Sequence, residues 1–145
     1  MQDLEFLEKA IALAVEAHRD QKDRYGAPYI LHPLRVMARM ETPLEKTVAV
    51  LHDVVEDTDW TFDRLRDEGF GPPVIEALDC LTKRSGEEYL DSVRRTAQSP
   101  LARRVKLADL EDNMDLRRVP ESSQPDPARW ERYLAAWRWL TQERL

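Results

Sequence analysis

Apolar residues in this chain recur at intervals of three and four, and no stretch alternates apolar with polar; that is the period of a helix, not of a strand. Leu4, Leu7, Ile11, Ala14 and His18 form one such stripe, predicting a first helix that Gly26-Ala27-Pro28 breaks. Pro33 suits the first position of a second helix carrying Leu34, Met37 and Ala38. Thr42-Pro43-Leu44-Glu45 reads as a capping box with proline in the first turn, and the helix it opens is expected to run through Val48, Leu51 and Val55. Thr61 or Asp59 opens another, ending at Gly69. Pro72-Pro73 starts a helix through Ile75, Leu78 and Leu81, and Ser85 to Glu88 reads as a second capping box before Tyr89 and Val93. Ser99-Pro100 starts the helix of Val105, Ala108 and Asp109. Pro120 to Pro127 reads as a surface loop, with too little chain after it to fold alone. The last helix carries Trp130, Tyr133, Leu134, Trp137 and Leu140 on one side, a stripe suited to packing or to a homodimer surface. The expectation is an all-α, single-domain bundle over residues 1–145, with about six to eight helices.

Composition narrows the function. Four glycines, with no GxGxxG and no GxxxxGK[ST], leave no dinucleotide fingerprint or P-loop. A net charge of −6 is the wrong sign for a non-specific nucleic-acid binder. No apolar run approaches membrane-spanning length, and the acidic, amphipathic start MQDLEFLEKA has no signal-peptide pattern, so a cytoplasmic protein without a membrane partner is expected. One cysteine, Cys80, allows neither an internal disulfide nor a cysteine-rich zinc site.

Three segments put polar groups where a plain amphipathic helix would put apolar ones: Tyr29 to Pro33, Leu51 to Thr58, and Val105 to Asn113. In the second, a continuous helix would set Glu56 one turn beyond His52 and Asp57 one turn beyond Asp53. Carboxylates packed this closely repel one another unless protons or a cation offset them. A divalent metal is the economical solution, since imidazole and carboxylate from one segment are good ligands and a histidine and an aspartate from elsewhere can complete the set. His18, on an apolar stripe, reads instead as a hydrogen-bonded core histidine.

Jointly, AHRDQ (Ala17–Gln21), GAPYILHP (Gly26–Pro33), LHDVVEDT (Leu51–Thr58), LTK (Leu81–Lys83) and KLADLEDN (Lys106–Asn113) resemble the HD-domain metal-dependent phosphohydrolases. The likeness is to the branch that hydrolyses the alarmone (p)ppGpp: the hydrolase domains of RelA/SpoT proteins and their small stand-alone relatives. The resemblance implies an all-helical HD fold and one Mn²⁺ per chain, with His32, His52, Asp53 and Asp109 as ligands; such donor sets also accept other divalent metals. It implies that Glu56 and Asp57 form the catalytic pair, one orienting or deprotonating water, the other holding the water network or protonating the leaving oxygen. It implies that Arg24, Lys83, Lys106 and Asn113 contact a nucleotide substrate. The bond broken would join the ribose 3′ oxygen to a pyrophosphate, giving GDP or GTP. Nothing remains of the 145 residues for a synthetase domain, so the resemblance implies a hydrolase alone.

Two positions depart from the family pattern. Asp23 stands beside Arg24 where the substrate loop commonly has two adjacent basic residues, and Asp115 follows Asn113 and Met114 where a basic residue and then threonine are usual. Both bring negative charge toward an anionic substrate. They keep open a phosphatase of another 2′- or 3′-phosphorylated nucleotide. A rival from a different class is a catalytically silent nucleotide-binding HD scaffold, against which the presence of every expected ligand and of Glu56-Asp57 argues. Arg117 and Arg118 read either as compensating cations or as a solvated face.

Overall fold

The computed structural model describes residues 2–142. Its helices are α1 (Gln2–Ala17), α2 (Leu31–Ala38), α3 (Pro43–Leu51), α4 (Val54–Asp57), α5 (Phe62–Asp67), α6 (Pro72–Leu81), α7 (Tyr89–Thr96), α8 (Pro100–Asn113) and α9 (Pro127–Gln142), with a 3₁₀ turn at Leu116–Arg118 before α9. No strand occurs among the described residues; an isolated bridge joins Lys22 to Pro28. Because α4 is a single turn separated from α3 only by His52 and Asp53, eight longer helices make up the all-α fold expected from the periodicity.

α3 is the buried centre. Its capping box is formed: Glu45 N–H donates to Thr42 Oγ1 over 3.1 Å, and the Glu45 carboxylate accepts from Thr42 N–H over 3.1 Å. Thr47, Val48, Ala49, Val50 and Leu51 are all buried, so the second half of α3 is covered on every side, while Leu44 in its first turn is exposed. Around it α1, α2, α5, α6 and α8 close one core, which includes Val36, Leu65, Ile75, Leu78 and Val105. A second, smaller core lies between α7, α8 and α9, with Val93, Leu107, Leu110, Ala136 and Leu140 at its centre. α8 belongs to both cores.

Several expected boundaries move. α1 buries Ala10, Leu13 and Ala14, whereas Leu4 is exposed near its start. Pro33 is the third residue of α2, not the first; it still costs no hydrogen bond, because the first intrahelical bond is Leu34 N–H to Ile30 O. Ser85 caps nothing: α7 begins after Glu88, and Glu87 instead accepts from Arg84 N–H and from the Arg95 guanidinium. On α9, Tyr133, Trp137 and Leu140 pack into the second core, while Leu134 points out.

The expected continuous helix from Pro43 to Val55 breaks at His52–Asp53. The reason is local. His52 Nδ1–H donates to Ala49 O over 2.6 Å, and His52 N–H reaches the same carbonyl at 3.4 Å. That carbonyl is the one Asp53 N–H would take in a continuing helix. Asp53 instead adopts φ −106°, ψ 0°.

Candidate active site

The break turns two side chains into the seam between the cores. Four ligand atoms, one each from His32, His52, Asp53 and Asp109, all lie within 4.8 Å of one another. His32 comes from the first turn of α2, His52 and Asp53 from the α3–α4 junction, and Asp109 from the middle of α8. His32 Nε2 is 2.8 Å from Asp109 Oδ1 and 3.9 Å from Asp53 Oδ2. His52 Nε2 is 3.1 Å from Asp53 Oδ2 and 3.4 Å from Asp109 Oδ1. Yet this buried nitrogen makes no hydrogen bond to either, its direction being wrong for both.

That orphaned atom tests the fit of a metal. With Nδ1 of His52 donating to Ala49 O, Nε2 is the nitrogen beside the two carboxylate oxygens. That arrangement needs a positive charge among them: a proton on Nε2 in the metal-free chain, or a cation that takes its place. Two imidazole nitrogens and two carboxylate oxygens are a donor set suited to a divalent ion. The residues therefore fit a metal centre.

Charge is balanced closely around the cluster. Burial opposes charge on both histidines, but the carboxylates outweigh it: Asp109 and Asp112 hold His32 above its ordinary value, and Asp53 and Asp109 hold His52 well above. Burial likewise opposes charge on Asp53, yet the neighbouring histidines bring it down to about 2. Lys106 Nζ is 2.9 Å from Asp109 Oδ2 and keeps that carboxylate ionised despite its burial. The Tyr29 hydroxyl donates to Asp53 Oδ2.

His32, Asp53 and Asp109 line a cavity of about 420 Å³ whose walls include Arg24, Tyr29, Glu56, Asp57, Lys106, Asn113, Arg118, Arg129 and Tyr133, and His52 lines the cavity next to it. A contiguous cavity of about 430 Å³ on the α6–α7 side adds Lys83, Ser92, Thr96 and Arg132. Of the residues singled out in the sequence, Arg24, Asn113 and Lys106 thus line the first cavity, and Lys83 only the second. Asn113 is fixed at both ends, donating to Asp109 Oδ1 over 3.2 Å and accepting from Arg118 over 3.2 Å.

The acidic pair divides. Glu56 Oε1 accepts from Lys83 N–H over 2.8 Å, tying α4 to the segment after α6. The Asp57 carboxylate makes no hydrogen bond among the described residues; burial, then the charges of Asp53 and Glu56, raise it to about 7. His18 stands outside the cluster, buried, with Nδ1 2.8 Å from Gln21 Oε1 and its ring 5.0 Å from that of Tyr29.

The two anomalous acids are occupied within the fold. Asp23 Oδ1 accepts from Tyr25 N–H and Ala27 N–H at 2.9 and 3.0 Å, folding residues 22–28 into a tight turn, and its Oδ2 meets Arg118 at 3.3 Å. Asp115 accepts from Arg117 N–H over 3.0 Å and pairs with the Arg117 guanidinium at 2.6 Å. Arg118 lines the cavity; Arg117 lies on the surface.

Sequence reading missed Asp112, Arg129 and Arg132. Asp112 is fully buried, 2.6 Å from His32 Nδ1, and lies one turn after Asp109, a spacing that puts both on one helix face. The two arginines on α9 carried no signal apart from the aromatic stripe around them.

No protein-family model matches the chain. A solved structure described as a metazoan ortholog of SpoT that hydrolyzes ppGpp and plays a role in starvation responses superposes with a TM-score of 0.68 at 29% identity, covering 94% of this chain and 82% of its own. The chain is a RelA/SpoT hydrolase-like domain. A guanosine-3′,5′-bis(diphosphate) 3′-pyrophosphohydrolase from Aquifex aeolicus is 34% identical to this hydrolase-like domain over 125 residues, 78% of this chain and 18% of the relative. A putative chloroplastic GTP diphosphokinase from Arabidopsis thaliana is 39% identical over 113 residues, 74% of this chain and 12% of the relative. The domain thus spans less than a fifth of the length of these curated relatives. None of its described helices is long and apolar enough to cross a membrane.

Proposed function

We propose that this domain is a phosphohydrolase of (p)ppGpp that removes the 3′-pyrophosphate, with one Mn²⁺ held by His32, His52, Asp53 and Asp109. The observation that carries the reading is the buried His52 Nε2, which lies 3.1 and 3.4 Å from two carboxylate oxygens without a hydrogen bond to either, beside a cavity that Arg24, Lys106, Arg118 and Arg129 help to line. The likeness to a structure described as hydrolyzing ppGpp supports the substrate. So does the pairing of Asp23 with Arg118 and of Asp115 with Arg117, which offsets the two negative charges that spoke against a polyphosphate.

When bound, the metal lowers the pKa of a water and polarises a phosphate oxygen. The chain supplies the rest. Asp57, free of other hydrogen bonds among the described residues, orients the attacking water and takes its proton. Glu56, anchored to Lys83 N–H, holds Lys83 against the α6–α7 side of the cavity. Arg129, Arg132 and Lys83 surround that side and receive the anionic pyrophosphate. Arg24 and Asn113 lie on the opposite side and suit the nucleoside end. The water oxygen joins phosphorus, the bond from phosphorus to the ribose 3′ oxygen breaks, and the proton that Asp57 took from the water passes to that oxygen as it leaves. The compartment expected for the enzyme is the cytoplasm.

The test is hydrolysis by metal-stripped protein reloaded with Mn²⁺, offered ppGpp, pppGpp and a panel of 2′- and 3′-phosphorylated nucleotides, with Asp53→Ala as control. Pyrophosphate released from ppGpp, and not by the control, is the expected result. Phosphate released from another nucleotide with ppGpp untouched overturns the substrate, and no turnover of any of them by Mn²⁺-loaded protein overturns the enzyme.

A further inference from the structure

Asp112 is a buried carboxylate one helical turn beyond Asp109, and all its acceptor capacity is turned inward. Its Oδ2 accepts from His32 Nδ1 over 2.6 Å. Arg35 Nε and Nη2 approach its two oxygens at 2.8 and 3.1 Å, and Arg118 Nη1 reaches Oδ2 at 3.1 Å. Two guanidiniums therefore hold one carboxylate in place, and that carboxylate holds one imidazole. The ring so held has its other nitrogen, Nε2, in the four-residue cluster.

We propose that Asp112 is a positioning residue for the metal centre: clamped by Arg35 and Arg118, it fixes the tautomer and plane of His32 so that Nε2 faces the ion as an acceptor. The inference rests on the metal-centre reading above and adds a residue to it. A carboxylate on the far nitrogen of a metal-bound histidine sets the tautomer and raises ligand basicity, and loss of such a partner weakens metal binding by roughly 10–100-fold. The two arginines explain why this carboxylate can be buried. They neutralise it and leave its geometry to be fixed by two planar groups.

The test measures metal, not turnover. Mn²⁺ affinity is read by competition with a chromophoric chelator for the native chain, Asp112→Asn and Asp112→Leu, with thermal unfolding checked for each. The expected order is native tightest, then Asp112→Asn, whose oxygen can still accept from Nδ1–H, then Asp112→Leu, weaker by roughly 10–100-fold. A folded Asp112→Leu that binds Mn²⁺ as the native chain does overturns the proposal. Should the Asp112→Leu substitution prevent folding, the native chain decides alone. Labelled with ¹⁵N-histidine and loaded with diamagnetic Zn²⁺, it should show His32 protonated at Nδ1 in a short hydrogen bond, with Nε2 shifted by the metal. A His32 bearing its proton on Nε2 overturns the proposal, whereas a native chain that binds neither ion overturns the metal-centre reading beneath it.

Discussion

Arg118 stands between Asp112 and Asp23, 3.1 Å from the first and 3.3 Å from the second. One guanidinium thereby joins the support of a histidine in the cluster to the turn at residues 22–28, which carries Arg24 and Tyr25 on the cavity wall. Arg118→Gln breaks a charged pair at both ends. The expected loss is about 2–3 kcal/mol of unfolding free energy, measured by urea denaturation. The turn should loosen as well, so KM for the nucleotide should rise by more than kcat falls. A KM unchanged from the native value would show that the turn holds itself.

Metal binding should stabilise the fold, because the four donors come together only in the native chain. With Mn²⁺ at about a hundred times its Kd, the unfolding free energy should rise by about 2.7 kcal/mol. In Asp53→Ala the same addition should produce almost no rise. An equal rise in both proteins would place the ion elsewhere.

Asp57 and Glu56 should separate in kinetics. Asp57→Asn should lower kcat by about 10²–10⁴-fold, the range for a lost general base, while leaving Mn²⁺ affinity intact. Glu56→Gln keeps an acceptor for Lys83 N–H and should act mainly through KM. If the two substitutions have equal effects on kcat, the division drawn from the Glu56–Lys83 hydrogen bond fails.

How much of this was legible in the sequence depended on whether a residue's partner was near it in the chain. The capping box at Thr42 and Glu45 was readable because both halves lie within four residues. His52 and Asp53 were conspicuous as polar residues amid valine and leucine. The break between them was not, since Val54 and Val55 continue the apolar pattern and the cause is a side chain competing for its own helix's carbonyl. Asp112 read as an ordinary acid because its partner His32 is 80 residues away and meets it only once α2 packs on α8. Asp23 read as a cavity charge for the same reason, since Arg118 lies far along the chain. Asp115 is different: it caps the 3₁₀ turn beside it and pairs with Arg117 two residues on, a local partner within reach of the sequence.

The Glu87–Arg95 pair predicts an acid-dependent term in stability. Hydrogen bonds from the Arg95 guanidinium, then from Arg84 N–H, lower the Glu87 carboxyl to about 2. A folded value below the unfolded one means that the contribution is complete above the ordinary carboxylate range and is lost as pH falls from there toward 2. Arg95 also donates to Asp79 O and Thr82 O, so the pair closes the end of α6 beside Lys83. Urea midpoints of the native chain and Glu87→Gln should differ most above about pH 5 and converge by about pH 2. A gap that stays constant with pH would mean that the pair does not titrate.

Removal of the Thr42 hydroxyl should cost stability without touching the site. Thr42→Ala leaves Glu45 N–H unsatisfied at the start of the buried helix and should lower unfolding free energy by about 1 kcal/mol, with Mn²⁺ affinity unchanged. A loss of metal affinity would show that the start of α3 controls where His52 ends up.

The two imidazoles of the cluster differ in what a mutation can reach. His32 is oriented by the carboxylate of Asp112, and one base change in the gene can delete that carboxylate. His52 is oriented by Ala49 O, an atom every residue at position 49 would supply. Drift can therefore retune or dismantle the His32 side of the centre one substitution at a time. The His52 side can be lost only by replacing the histidine itself or by unmaking the helix that ends there, so variation among natural and engineered descendants of this chain should concentrate on the α2–α8 side of the seam.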